Sequence, residues 1–365
     1  MGFAAIPPCE VVGIGGRALF AMELRGGPHD RGYAYGEACR GRIARMIEVQ
    51  FLEEFQGRLT KDQLLKQARK YEPFIEDYSP EIAEELKGIA EGSGRLYDEI
   101  VMVNALEERK AFEPGHCTVF AATGKATRDG ETFTGQTWDG VEKEWWDGEF
   151  GLLFQIRRKD GPDILDYTNP GILASAGLNA NGIAVNWNTM PQPHLAIGVP
   201  AYVIVAEVLR QKILGEALDA VRRAHRASTF HLLITDGQEL YGVEGTPGDV
   251  DIAYGGESVG HANHFVSEKF ASSLNTDVSS SSIIRHNRMN RLLKESHGVI
   301  DLKTCMGFLR DHVNHPGSIC CHPGEDPDPN RRGYTLDAWV SVPSRREFWI
   351  AHGLPCENEF VKFSL

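Results

Sequence analysis

From Leu24 to Glu108 apolar residues recur every three or four positions, whereas beyond Cys117 they come in short alternating runs separated by turn residues. The first pattern predicts helices and the second predicts strands. A helical segment begins at His29-Asp30-Arg31-Gly32 and continues through Ala38, Ile43, Ala44 and Ile47. Ser79-Pro80-Glu81 supplies an N-cap, a proline at the first helical position and an acidic first turn. The helix it opens runs through Ile82, Leu86 and Ile89 and stops at Gly92-Ser93-Gly94; a further helix spans Tyr97 to Glu107. Strands are predicted at 118–123, 132–135, 152–156, 182–188 and 230–237, with Asp129-Gly130 as a two-residue hairpin turn between the first two. Helical stretches at 201–224, 282–296 and 302–312 interrupt the series. Strand blocks flanked by helices imply layered sheets covered by helices.

Composition narrows the class. The 365 residues are 42% apolar and 24% charged, enough to build a large core, and no apolar run reaches the roughly 20 residues that span a bilayer. A formal net charge of −13 repels a phosphate backbone, so no nucleic-acid partner is expected. The opening residues lack the basic region of a signal peptide, and seven scattered cysteines make no disulfide framework. A cytoplasmic protein without a membrane partner is therefore expected.

Candidate chemistry centres on His116-Cys117, after the Pro114-Gly115 loop and at the head of a predicted strand. If the bond between them is cut, Cys117 gains an α-amine that titrates near ~8 and can accept the thiol proton. The pair His116 and Cys117 would then be the processing site. Asp139 ends the next hairpin arm, so pairing returns its carboxylate toward Cys117; a turn aspartate before glycine is the plainer reading. Asn186 and Asn188 share one strand face, and a buried amide needs partners. Asn263, in Gly260-His-Ala-Asn-His264, can donate to an oxyanion or merely bond its own backbone. Arg331 and Arg332 are either a solvated pair or a source of one guanidinium that reaches Asp139. His312, His315, Cys320, Cys321 and His322 form the densest group of soft ligands, yet adjacent cysteines in a proline-broken loop match no familiar zinc spacing. No metal is expected, and no cofactor.

These residues fall in segments that resemble the acyl-coenzyme A:6-aminopenicillanic acid (isopenicillin N) acyltransferase family of N-terminal nucleophile (Ntn) hydrolases, peptidase C45-like. The segments are Cys117-Thr118, Gly135-Gln-Thr-Trp-Asp139, Gly177 through Asn188, Ala227-Ser-Thr-Phe230, His261-Ala-Asn-His264, Arg285-His-Asn-Arg-Met289, Ser318-Ile-Cys320 and Arg332-Gly-Tyr-Thr-Leu336. The resemblance implies an α+β fold, a four-layer αββα sandwich of two antiparallel sheets. It implies a mainly helical segment 1–116 and a nucleophile-bearing segment 117–365, which form a heterodimer of fragments if processed and one structural unit. By the same likeness Cys117 is the nucleophile, Asp139 and Arg332 orient the new terminus, and Asn263 is the oxyanion donor. By that likeness Ser228 sits in the site, and Trp138 and Asn188 are candidates to line its substrate pocket. Asn179 joins them through the Gly-Leu-Asn-x-x-Gly run from 177, which is similar to bile-salt and penicillin V amidases.

Two departures stand out. His116 replaces the usual glycine before the scissile bond, and Arg331 replaces a serine, which argues against a penicillin nucleus as acceptor. The expected reaction is cleavage or formation of an amide in a small molecule, with acyl-coenzyme A as a candidate co-substrate. Trp138, Trp145, Trp146 and Trp187 are available to wall an acyl pocket. The alternatives are an unprocessed thiol hydrolase with His116, His261 or His264 as base, and a non-catalytic binding homologue.

Overall fold

A computed structural model describes residues 10–14, 17–48, 58–108, 117–141, 149–192, 196–274, 278–325 and 333–365. Two sheets face each other. The larger has nine strands, β1 (Glu10–Ile14), β2 (Arg17–Leu24), β5 (Leu152–Ile156), β6 (Ile164–Thr168), β7 (Ala176–Asn179), β8 (Ala184–Thr189), β9 (Phe230–Thr235), β10 (Leu240–Gly245) and β11 (Val250–Tyr254), in that spatial order. The smaller is ordered β12 (Ser258–His261), β3 (Thr118–Gly124), β4 (Gly130–Val141), β13 (Gly333–Val342), β14 (Glu347–His352) and β15 (Val361–Ser364).

Helices cover the outer faces. α1 (Pro28–Ala38), α2 (Arg40–Arg45), α3 (Lys61–Ala68), α4 (Glu72–Tyr78), α5 (Pro80–Ser93), α6 (Tyr97–Asn104), α7 (Ala201–Leu209) and α8 (Leu214–Arg223) form the layer on the nine-stranded sheet. α10 (Ser280–Glu295) and α11 (Leu302–Leu309) cover the six-stranded sheet, and α9 (Glu268–Leu274) follows β12. The result is the expected αββα sandwich. Among the described strands pairing is antiparallel with one exception: β2 runs parallel to β5. The parallel pair arises because β2 comes from the N-terminal segment, before the helices, and joins the sheet beside a strand reached much later.

Local signals account for the helix boundaries. α5 begins at Pro80 as its sequence requires, and Gly94 ends it with a φ of 70°, a left-handed conformation that glycine adopts without penalty. The Ser79 hydroxyl does not cap its own helix; it donates to Glu207 at 2.9 Å instead. α1 and α5 pack almost backbone to backbone. A Cβ on Gly32 would lie 2.0 Å from the Glu85 carbonyl oxygen, and one on Gly88 would lie 2.2 Å from that of His29.

The hairpin β3–β4 carries the candidate nucleophile, and its connection is wider than two residues. Gly124 pairs with Gly130, leaving residues 125–129 as the loop. Thr127 bridges to Ile300 and the Arg128 amide donates to the Ile300 carbonyl at 2.9 Å, so a contact from outside the hairpin holds the loop open. Between the sheets, Trp138 lies near Trp187 (5.6 Å between ring centroids) and Tyr167 near Trp339 (4.7 Å). On the other side of the six-stranded sheet, Phe120, Phe133, Met289, Leu293 and Phe308 make a second apolar layer under α10 and α11. Cys117 lies at the end of β3 where these layers meet.

Candidate active site

Strand pairing brings the first two candidates together. Thr118 is opposite Thr137 in the β3–β4 ladder, which sets Cys117 beside Trp138 and Asp139. Side chains alternate along β4, so Thr137 and Asp139 share one face. The Thr137 hydroxyl accepts the Thr118 amide at 3.2 Å and donates to Asp139 at 3.4 Å. Thr335 of β13 donates to the other Asp139 oxygen at 2.7 Å and accepts the Cys321 amide at 2.8 Å.

Donors from two layers converge on the Cys117 carbonyl. Asn188 of β8 donates from the nine-stranded sheet at 3.1 Å, and Arg285 of α10 donates from the outer helical layer at 2.7 Å. Arg285 is 1% exposed and also donates to the Thr118 hydroxyl, to Asn263 Oδ1 at 2.9 Å and to the Ser281 hydroxyl. Asn263 in turn donates to the Thr189 carbonyl at 2.9 Å, using one of its two amide hydrogens. Cys117, Asp139, Asn188 and Asn263 therefore sit in one network, and Arg285 is its hub.

Burial and charge set the protonation states. Burial, with the Asp139 carboxylate second, pushes the Cys117 thiol up to about 12; the Asp139 backbone amide and Arg285 act in the opposite direction. Burial also pushes Asp139 up to about 7, against Arg285 and the two threonine hydroxyls. The Cys321 thiol, near the same two charged groups, is likewise pushed up to about 12. With its chain uncut, the site holds a protonated thiol at neutral pH. A base must be supplied before that sulfur becomes a nucleophile.

Two of the three histidines proposed as alternative bases, His261 and His264, face elsewhere. His261 contacts Asn188 Oδ1, the Ala262 carbonyl and Glu244, and it stacks on His231 at 3.6 Å. His264 lies 2.8 Å from the Ser282 hydroxyl, and burial lowers it to about 4. His116, Arg331, Arg332, Trp145 and Trp146 lie outside the described residues.

Asn179 is not brought to Cys117. Its amide donates to the Leu209 and Gln211 carbonyls and accepts from the Asn181 and Ile183 amides, so all its capacity holds the β7–β8 turn against the end of α7. Asn186 bridges the sheets, donating to Thr134 and accepting from Trp339. Ser228 is buried beside Glu108, which burial pushes up to about 7. Arg285 receives no role from the sequence, and Cys321 figures there only as one of the soft metal ligands. Arg285 lies within a family-like segment, but nothing in its spacing marks it as buried, and the cation sought at Arg331 and Arg332 has a described counterpart in this helix.

Residues 131–354 match the family model described as acyl-coenzyme A:6-aminopenicillanic acid acyl-transferase. The chain belongs to this family. It is an enzyme of an acyl-transferase family. It is 27% identical over 312 residues to the acyl-coenzyme A:6-aminopenicillanic-acid-acyltransferase 40 kDa form of Emericella nidulans, over 83% of this chain and 84% of that one. Similar solved structures include a variant of conjugated bile acid hydrolase from Clostridium perfringens, at 13% identity and a TM-score of 0.47, over 68% of this chain and 97% of that one. Penicillin V acylase from Agrobacterium tumefaciens is another, at 13% identity and a TM-score of 0.43, over 65% and 83%. No helix among the described residues is long and apolar enough to cross a membrane.

Proposed function

We propose that the protein is an autoprocessed cysteine enzyme that cleaves or forms amide bonds of small molecules through an acyl-thioester on Cys117. The observation that carries this reading is the convergence of Asn188 and Arg285 on the Cys117 carbonyl, with Asp139 beside the thiol. Such a clamp fixes the backbone of the nucleophile from both sides.

Processing begins when the Cys117 sulfur attacks the His116 carbonyl carbon, and the Cys117 nitrogen leaves with a proton. Water then hydrolyses the resulting thioester, freeing the thiol and the His116 carboxylate; the nitrogen that left is the new α-amine. That amine titrates near ~8 and supplies the base that the buried thiol lacks. In turnover the amine takes the thiol proton as sulfur bonds to the substrate carbonyl. The second Asn263 amide hydrogen and a backbone N–H hold the oxyanion. Collapse expels the leaving group with the proton from the α-ammonium, and water or an acceptor amine clears the thioester.

Trp138 would wall the acyl side, Ser228 would lie in the site, and Arg332 would support the new terminus. The substrate class is a small-molecule amide or an acyl thioester such as acyl-coenzyme A, and hydrolysis gives way to transfer as the site excludes water. Denaturing mass spectrometry of the purified protein, before and after exposure to an activated acyl ester, tests the reading. Two fragments meeting at His116/Cys117, with the acyl group on the Cys117 fragment, are expected. An intact chain acylated at Cys117 would point to the unprocessed thiol enzyme, and absence of any adduct would leave the binding homologue.

A further inference from the structure

Beyond the nucleophile, the tertiary structure gathers a second set of reactive side chains that the sequence spacing did not suggest. His312 follows α11, Cys320 and His322 lie in the segment leading toward β13, and Cys356 is in the turn after β14. Arg310 donates to the Pro355 carbonyl at 2.7 Å and to that of Asn358 at 3.3 Å, which ties the Cys356 turn to the end of α11. His322 Nε2 then lies 3.0 Å from His312 Nε2, 3.6 Å from Cys320 Sγ and 3.4 Å from Cys356 Sγ. All four ligand atoms fall within 4.8 Å of one another.

Hydrogen bonds to His322 alone do not account for this convergence. One neutral imidazole nitrogen offers either a single N–H or a single lone pair, so it satisfies one neighbour and not three. A cation at the centre satisfies all four. In a tetrahedron with zinc–sulfur bonds of about 2.3 Å and zinc–nitrogen bonds of about 2.0–2.1 Å, the S···N edge is about 3.6 Å and the N···N edge about 3.3 Å. The three separations measured from His322 Nε2 are close to those edges, and the remaining pairs lie within 4.8 Å.

We propose that His312, Cys320, His322 and Cys356 bind one zinc-type divalent cation. Two cysteines and two histidines suit a borderline-soft metal and reject magnesium or calcium, which take oxygen ligands. Both thiols release their protons to solvent on binding, and two thiolates neutralise the divalent charge. Four protein ligands leave no open position, so the site is structural. Its ligands Cys320 and His322 flank Cys321, whose amide donates to Thr335, the residue that holds Asp139. The metal would thus fix the segment behind the Asp139 carboxylate while taking no part in the chemistry at Cys117.

The full-length protein, purified under reducing conditions and stripped with a chelator, is titrated with Co²⁺ and then Zn²⁺. Expected is about one equivalent per chain, with a tetrahedral cobalt d–d spectrum and a thiolate-to-cobalt charge-transfer band that zinc abolishes. Cys356→Ser and His312→Ala, both at exposed positions, should each weaken binding by more than the roughly 10–100-fold that loss of an outer-shell partner costs. Cys117→Ala should keep the spectrum. Absence of thiolate–cobalt absorption in the wild type, or a spectrum lost in Cys117→Ala and retained in Cys356→Ser, would overturn the assignment.

Discussion

Two groups of buried arginines show different uses of charge. On the nine-stranded side, Glu85 receives Arg210 at 2.7 Å and Arg31 at 3.1 Å, and Glu81 receives Arg158 at 2.8 Å, so each cation meets a carboxylate directly. At the site, Arg285 is equally buried but bonds only neutral oxygens, and no carboxylate among the described residues forms an ion pair with it. Asp139 acts on it from a distance and is held by hydroxyls. The first network is closed and ties helices together. The second leaves a cation and a carboxyl incompletely neutralised around Cys117, where a reaction that develops charge can use them.

The most drastic way to break this contrast is Cys117→Ala. Steady-state turnover of an amide or thioester substrate should fall by on the order of 10⁴-fold or more, with chemical denaturation unchanged within about 1 kcal/mol. Unchanged turnover would remove the reason for treating the second network as catalytic. Glu85→Ala should act on stability instead, costing about 3–5 kcal/mol because two arginines lose their buried partner. A urea melt measures this, and kcat per folded molecule should stay near the wild-type value.

Arg285→Lys sharpens the comparison from the other side. It keeps the charge but loses the fork that spans Cys117, Thr118 and Asn263, so kcat should drop roughly 10²–10³-fold, the scale of losing a pre-organised donor. Its melting temperature should move less than that of Glu85→Ala.

The smallest effect concerns pH. Asp139 sits at about 7 in the folded protein, above its ordinary value of 3.8. Between about pH 4 and 7 the unfolded chain has released this proton and the native chain retains it. Its contribution therefore lowers stability as pH rises through that window and levels off above about 7. Asp139→Asn should flatten this slope, seen as a urea midpoint that changes less than the wild type's between pH 4 and pH 8.

Legibility followed sequence distance. The helix at Pro80 was readable because its first-position proline and its terminal glycines bracket one short segment. The approach of Asp139 to Cys117 was readable because one hairpin joins them and alternation fixes the register. The wider loop at 125–129 was not, since Ile300 holds it open from a distant part of the chain. Asn179 and Asn188 lie in the same asparagine-rich run and look alike in sequence. One is consumed by its own turn and the other crosses to the facing sheet, which depends on strand packing alone.

The chain by itself determined the alternation of helix and strand, the family-like segments and the hairpin that carries Cys117, because propensity, capping and register act over a few residues. Packing of α10 onto the six-stranded sheet decided that Arg285, 168 residues from Cys117, would bond its carbonyl. Packing of the Cys356 turn onto the end of α11 decided that four soft ligands, with Cys356 34 residues beyond His322, would share one centre. Such encounters have no period or spacing to betray them, since layer stacking brings together residues whose separation along the chain is arbitrary.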